Sequence, residues 1–237
     1  LYLQIQEELK IRYDEGIGLY KTLSLDLQEK YNKNFGVDCR SMSDADIAET
    51  YFKLKFNGLE NYNTKVFIAG NHDFGFEKDP DMAKEVVSSY KWIDYLQDNF
   101  LSYGTNMDNK VKIYGSPWQP EFHNWAFNLP KNGVELQSKW DAIPDNTDIL
   151  ITHGPAYGYL DIPGGHNIRV GCELLRERVD LIRPKIHVCG HIHGSAGYYF
   201  NGHTHFINAS VLNEQYRYTN LPLNAEWNPV TNEITWF

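Results

Sequence analysis

Three short blocks carry the residues best suited to chemistry: Gly70-Asn71-His72-Asp73, Thr152-His153-Gly154-Pro155 and Gly190-His191-Ile192-His193-Gly194. Between them they offer an amide and a set of imidazoles. Neutral imidazoles and an amide oxygen are ligands for divalent cations, and they suit zinc or another late transition metal better than magnesium. Asn71 and His72 are adjacent, so a turn can aim one at a cation and the other at a substrate. An imidazole in that place can serve a leaving oxygen with a proton. His191 and His193 are alternate residues, which share a face in an extended chain. The set suits phosphate ester hydrolysis, because a divalent ion neutralises phosphoryl charge and lowers the pKa of water from about 15.7 towards 7.

Such donors work together only if strands deliver them to one rim. Each block follows a run of apolar and β-branched residues: Lys65 to Ala69, Asp148 to Ile151, and Lys185 to Cys189. The pattern predicts strands at 66–69, 111–114, 148–152, 186–189 and 234–237, and helices at 80–96 and 170–182. Tyr198 to Phe206 reads as a hairpin with Asn201-Gly202 as its two-residue turn. Strands alternating with helices imply a layered α/β protein. Residues 1–60 differ in texture: they are polar and helical in pattern, and Ser43 with Asp44 can cap a helix over 46–54. An amphipathic start of this kind also suits the cover of an exposed sheet edge.

Bulk properties narrow the partners. The 237 residues carry a net charge of −9, which gives no strong signal for nucleic acid. Arg176, Arg178, Arg183 and Lys185 form the densest basic stretch. Nothing approaches the roughly 18 apolar residues of a membrane span. Cys39, Cys172 and Cys189 are odd in number and far apart, which favours a reducing, cytoplasmic setting over a disulfide framework. The chain has no initiating Met, consistent with a start inside a longer reading frame.

Trp118, Phe122, Trp125 and Phe127 cluster among Pro120, Glu121, His123 and Asn124. Two readings stand: a packed loop core, or a wall that stacks on a purine base. On the second, Trp118 and Asn128 contact substrate, Asn128 and His123 through sugar or phosphate. His187 and Cys172 read as packing residues. His203 and His205 share a predicted hairpin face near the third block, where either is a substitute for a missing ligand. His166, after Gly164-Gly165, reads as a surface residue.

The blocks and their surroundings resemble the calcineurin-like metallophosphoesterases, most closely the small metallophosphoesterase-domain-containing subgroup. The resemblance rests on Val66 to His72, Tyr114-Gly115-Ser116-Pro117-Trp118, Phe127 to Pro130 and Asp148 to Pro155. Arg169-Val170-Gly171-Cys172, Pro184 to Val188 and Ile207-Asn208-Ala209-Ser210 extend it. It implies a four-layer fold, a two-sheet sandwich flanked by helices, over residues 61–237, with 1–60 a divergent helical segment. It implies a site for two divalent ions (manganese, zinc or iron), with Asn71, His153 and His191 on one, His193 on the other, and His72 as the catalytic histidine. The implied substrate is a small phosphoester, a nucleotide or cyclic nucleotide phosphodiester.

Two elements of that family pattern are absent. No Asp-x-His strand occurs, and no Gly-Asp turn precedes Asn71; Asp38 in Gly36-Val37-Asp38 is the nearest stand-in for the bridging carboxylate. The fold is then expected to lack its first strand. Two divalent ions about 3.5 Å apart repel by roughly 19 kcal/mol at an effective dielectric of 20. One amide and three imidazoles carry no charge to offset that, so this ligand set is expected to hold one ion firmly. Three readings stay open: a start that omits the first strand, a one-metal variant of reduced activity, or a degenerate relative that binds nucleotides without hydrolysis.

Overall fold

The computed structural model describes residues 2–5, 64–88, 93–104, 110–215, 217 and 219–237. In chain order the elements are β1 (Tyr2–Ile5), β2 (Val66–Phe67), α1 (Phe74–Lys78), α2 (Pro80–Ser88), β3 (Asp94–Tyr95), β4 (Asn99–Tyr103) and β5 (Val111–Ser116). They continue with β6 (Gln119–Pro120), β7 (Asn128–Leu129), α3 (Val134–Asp141), β8 (Ile149–Thr152), α4 (Glu173–Ile182) and β9 (Ile186–Cys189). The last are β10 (Gly197–Phe200), β11 (His205–Asn208), β12 (Leu223–Asn228) and β13 (Glu233–Trp236).

The centre is a six-stranded sheet in the order β10-β11-β9-β8-β5-β4. Its four inner strands are parallel and its two edge strands antiparallel. Inner strands covered on both faces must be apolar on both, which is why they read as continuous hydrophobic runs. Along β8 the period of two is plain: Leu150 faces one side, Ile149 and Ile151 the other. The Leu150 face packs beneath α3 and α4, with Trp140 and Leu136 fully buried. The Ile149 face packs with Ile186 and Ile207 against Trp227 of β12 and Val66 of β2. A second sheet, β1-β12-β13, forms that next layer. Outside it, α1 places Phe76 against Phe67 and Tyr95, with ring centroids 5.5 and 4.8 Å apart. The result is a sandwich of two sheets with helices on its outer sides.

Several predicted bounds shift. The helix expected over 80–96 is described as α2, Pro80–Ser88, and Asp94–Tyr95 instead forms a parallel pair with β2. The N–H groups of Asp94 and Leu96 donate to the carbonyls of Lys65 and Phe67, while Ile93 and Leu96 are buried. Tertiary pairing outweighs the helical pattern there. The helix expected from Val170 begins at Glu173, because Cys172 is its cap and its Sγ accepts from the Leu175 N–H. Gly171 cannot extend it with a larger residue: a Cβ would lie 2.7 Å from the Tyr157 backbone. The hairpin closes through four residues, Asn201 to Thr204, rather than two. The Asn201 side chain accepts from the N–H groups of His203 and Thr204, making an Asx turn in place of a tight Asn-Gly turn. At the start of the chain Tyr2–Ile5 is a strand that lines the edge of β12. The helix expected over 46–54, Asp38 and the boundary near 60 lie outside the described residues.

Candidate metal and phosphoester site

Parallel strands bring their carboxyl ends to a single edge of the sheet, the usual place for a site in an open α/β layer. Here β5, β8, β9 and β11 end at Ser116, Thr152, Cys189 and Asn208. The chain turns directly after β8 and β9, so His153 and His191 emerge on neighbouring rims. The Gly190 N–H donates to the His153 carbonyl and the His153 N–H to the Ser116 carbonyl, which ties the turns together. His191 adopts a left-handed φ of 68°, a strained conformation for a side chain with a Cβ.

Asn71 arrives from the other layer. The turn after β2 is held by Asp73, whose carboxylate accepts from the Gly70 N–H at 2.7 Å. Gly70 leaves room for the His153 ring, from which a Cβ would stand 2.7 Å away. Asn71 is fully buried, and its Oδ1 lies 2.9 Å from His153 Nε2. His153 Nε2 in turn lies 3.1 Å from His191 Nδ1. Cis ligands about 2.1 Å from an octahedral ion are about 3.0 Å apart, so these spacings match a shared cation. An amide oxygen and two imidazole nitrogens also form a donor set suited to a transition metal. The residues present therefore fit a divalent ion.

His193 does not meet the other two histidines at that point. Among the described residues, no three His, Cys, Asp or Glu side chains converge to hold an ion. His193 is buried, and its Nδ1 donates to the Asn213 carbonyl at 3.0 Å. That bond fixes the tautomer that turns the Nε2 lone pair outward from the bond, the arrangement usual for metal-binding imidazoles. His72 is half-buried beside the cluster, and the Asn71 amide donates to its Nε2 at 3.3 Å. The one Asn71 side chain thus touches the cluster with its oxygen and orients His72 with its nitrogen.

The aromatic stretch divides by function of place. The Trp118 indole N–H donates to Asp98 Oδ2 at 2.7 Å, Lys139 Nζ lies 4.3 Å from its ring centroid, and the ring meets Phe127 edge-on. Its partners are thus the α3 layer and Asp98. Trp125 is the one that adjoins the cluster, 5.4 Å from the His72 ring and 5.9 Å from the His191 ring. Asn128 accepts from Gln119 and donates to the carbonyls of Phe122 and His123, bracing the loop that carries Trp125.

His205 is not near the third block, contrary to the expected hairpin face. It pairs in register with Ile186, at the amino end of β9, while Asn208 pairs with Cys189 at the site end. Its nitrogens bond the Tyr198 hydroxyl and the Asn232 carbonyl, and burial pushes its pKa down. His203 and His166 are exposed. His187 is buried, and burial pushes its pKa down to about 3. Thr152 Oγ1 donates to the Gly154 carbonyl, so it accepts from His187 Nε2–H at 2.8 Å. Sequence reading missed the supports: Asp73, Thr152 and Asn208, whose amide donates to the Ile192 carbonyl at 2.9 Å. Asp73 and Thr152, each in one of the histidine blocks, left a local signal; Asn208 did not.

The family model described as calcineurin-like phosphoesterase matches residues 35–195, including the three histidine blocks. Metallophosphoesterase domain-containing protein 1 of Homo sapiens is 40% identical over 188 residues, covering 71% of this chain and 57% of that protein. The Mus musculus protein of that name matches equally, and a UPF0046 protein of Caenorhabditis elegans is 37% identical over 197 residues, with 71% and 48% covered. The match thus spans about half the length of these curated relatives. A solved crystal structure at 16% identity superposes with a TM-score of 0.53, over 90% of this chain and 82% of that one, which speaks for the fold. No described helix is long and apolar enough to cross a membrane. Calcineurin-like phosphoesterases use divalent metal ions, in keeping with the donor set of Asn71, His153 and His191, and with this match over most of its length the chain belongs to that family.

Proposed function

We propose that this protein is a metal-dependent phosphodiesterase acting on nucleotides or cyclic nucleotides. The observation that supports this is the meeting of Asn71 Oδ1, His153 Nε2 and His191 Nδ1 beside His72. Asn71, His153 and His191 hold one ion, manganese, zinc or iron; His193 serves a second and weaker position. A divalent cation there supplies neutralisation of phosphoryl charge and water of lowered pKa. The chain's own residues do the rest. The three donor atoms already stand together, so little reorganisation is needed to bind. Asn71 sets the plane of His72 by donating to its Nε2. His72, half-exposed at the rim, meets the scissile phosphate; when its Nε2 is protonated it parts from the Asn71 amide and gives that proton to the leaving oxygen.

The test is His72→Ala assayed on bis(p-nitrophenyl) phosphate with manganese or zinc. Turnover is expected to drop about 100- to 10,000-fold, the usual contribution of a general acid, while metal content by mass spectrometry stays the same. Unchanged turnover removes His72 from the reaction. A wild-type protein that binds nucleotides but hydrolyses nothing under any of these metals points instead to the non-catalytic, nucleotide-binding relative. The lack of a described carboxylate in the cluster is the observation behind that second reading.

A further inference from the structure

We infer that Trp125 is the specificity-determining residue of this site, a stacking face for the planar heteroaromatic base of the substrate; the inference rests on the phosphodiesterase reading above. Position is the first argument. The indole is half-buried and lies within ring-contact distance of both His72 and His191. A phosphoester whose phosphate meets the imidazoles has Trp125 as an aromatic neighbour for its organic part. The neighbouring rings continue the surface outward: His123 is 5.1 Å away and Phe122, 57% exposed, is 5.3 Å away. Partly exposed aromatic rings at a polar rim suit a flat apolar group better than they suit water.

The way the loop is held is the second argument. His123 and Phe127, on either side of Trp125, both adopt left-handed φ values, 52° and 57°. Such strain persists only where the surroundings enforce it. The enforcement comes from the site itself. The Ala126 N–H donates to the Asn71 carbonyl at 3.0 Å, and the Phe127 N–H to Glu77 Oε1 at 2.8 Å. Asn128 clasps the carbonyls of Phe122 and His123. Trp125 is thus fixed to the same turn that supplies Asn71 and His72, at a set offset from them. Trp118 lacks this relation, since its indole is engaged by Asp98 and Lys139.

Stacking on an aromatic side chain accepts any base, so Trp125 should favour nucleotides over plain phosphate esters without choosing strongly among bases. The experiment uses the zinc-loaded protein, with cyclic adenosine monophosphate and inorganic phosphate as probes, read by calorimetry and by ligand-observed NMR. In the wild type the adenine protons are expected to shift upfield under the indole ring current. Trp125→Ala should abolish that shift and weaken the cyclic nucleotide about tenfold or more, while phosphate affinity stays within about twofold. Trp125→Phe should restore most of the binding and part of the shift. The inference is overturned if Trp125→Ala leaves the cyclic nucleotide unaffected, or weakens phosphate equally, since a purely structural loop residue would do that. Wild-type protein that binds phosphate but not the nucleotide also overturns it and leaves the hydrolase reading standing. Binding of neither probe brings down the hydrolase reading, and the role of Trp125 with it.

Discussion

His153 and His191 stand just beyond the carboxyl ends of β8 and β9, whereas His187 and His205 lie within β9 and β11 of the same sheet. The first pair is half-exposed, and His153 Nε2 faces both His191 Nδ1 and Asn71 Oδ1. The second pair is buried, and each imidazole is bonded to a neutral neighbour, Thr152 or the Tyr198 hydroxyl and Asn232 carbonyl. Burial among neutral groups pushes the second pair's pKa values down, which favours the neutral ring in both. The lesson is that one residue type takes two arrangements according to where its strand ends. Inside a strand, neighbours fix the ring and satisfy it. At the rim, the chain can aim several rings at a common point.

The sharpest way to break that contrast is His153→Ala. It removes the central donor of the trio, so zinc affinity by calorimetry should fall more than about 100-fold, and metal-supported hydrolysis with it. Retained affinity would show that the rim trio is not the metal centre.

Gly70→Ala should act on the rim at one remove. The added methyl meets the His153 ring at 2.7 Å and must displace it. Metal affinity is expected to drop about 10- to 100-fold, the usual range for a disturbed supporting contact, with the circular dichroism spectrum unchanged. An unaltered affinity would mean that the ring position is not critical.

The buried pair should report through stability instead. His187 has a folded pKa of about 3 against about 6.5 unfolded. Between these values the unfolded chain binds a proton that the native protein does not. The stability from the neutral ring is complete above pH 6.5 and is lost as pH falls towards 3. The slope is at most about 1.4 kcal/mol per pH unit. In urea titrations His187→Gln should flatten this acid limb; an unchanged slope would assign the limb to other groups.

The smallest functional effect belongs to His205→Ala. Its two hydrogen bonds tie β11 to Tyr198 and Asn232, so about 1–3 kcal/mol of stability should go. Hydrolysis per folded molecule and zinc affinity should match the wild type. A fall in either would join the two ends of the sheet in a way that the geometry does not.

Much of the layer plan was legible because it is written in local pattern. The apolar runs at 149–152 and 186–189 are strands in the structure, and a glycine or histidine turn follows each. Errors arose where partners distant in sequence took over. Asp94–Tyr95 left a helical pattern to pair with β2, and Asn201 replaced a tight turn with a wider one through its own side chain. The site was legible as a list of donors and not as a map. His193, expected on a second ion and not with the trio, bonds the Asn213 carbonyl through its Nδ1, a partner that its sequence context does not announce. Trp118 and Trp125 are seven residues apart in a single aromatic stretch, and composition cannot say which faces the rim.

By itself, the sequence determined which side chains are of a type that binds cations and that each follows a strand, since residue type and periodicity are local properties. Only the tertiary structure decided that Asn71 and His153, 82 residues apart, meet at 2.9 Å. It also decided that Trp125 rather than Trp118 overlooks them. The reason is physical: such contacts depend on strand order, register and the packing of one layer on another, and no short stretch of chain encodes these alone.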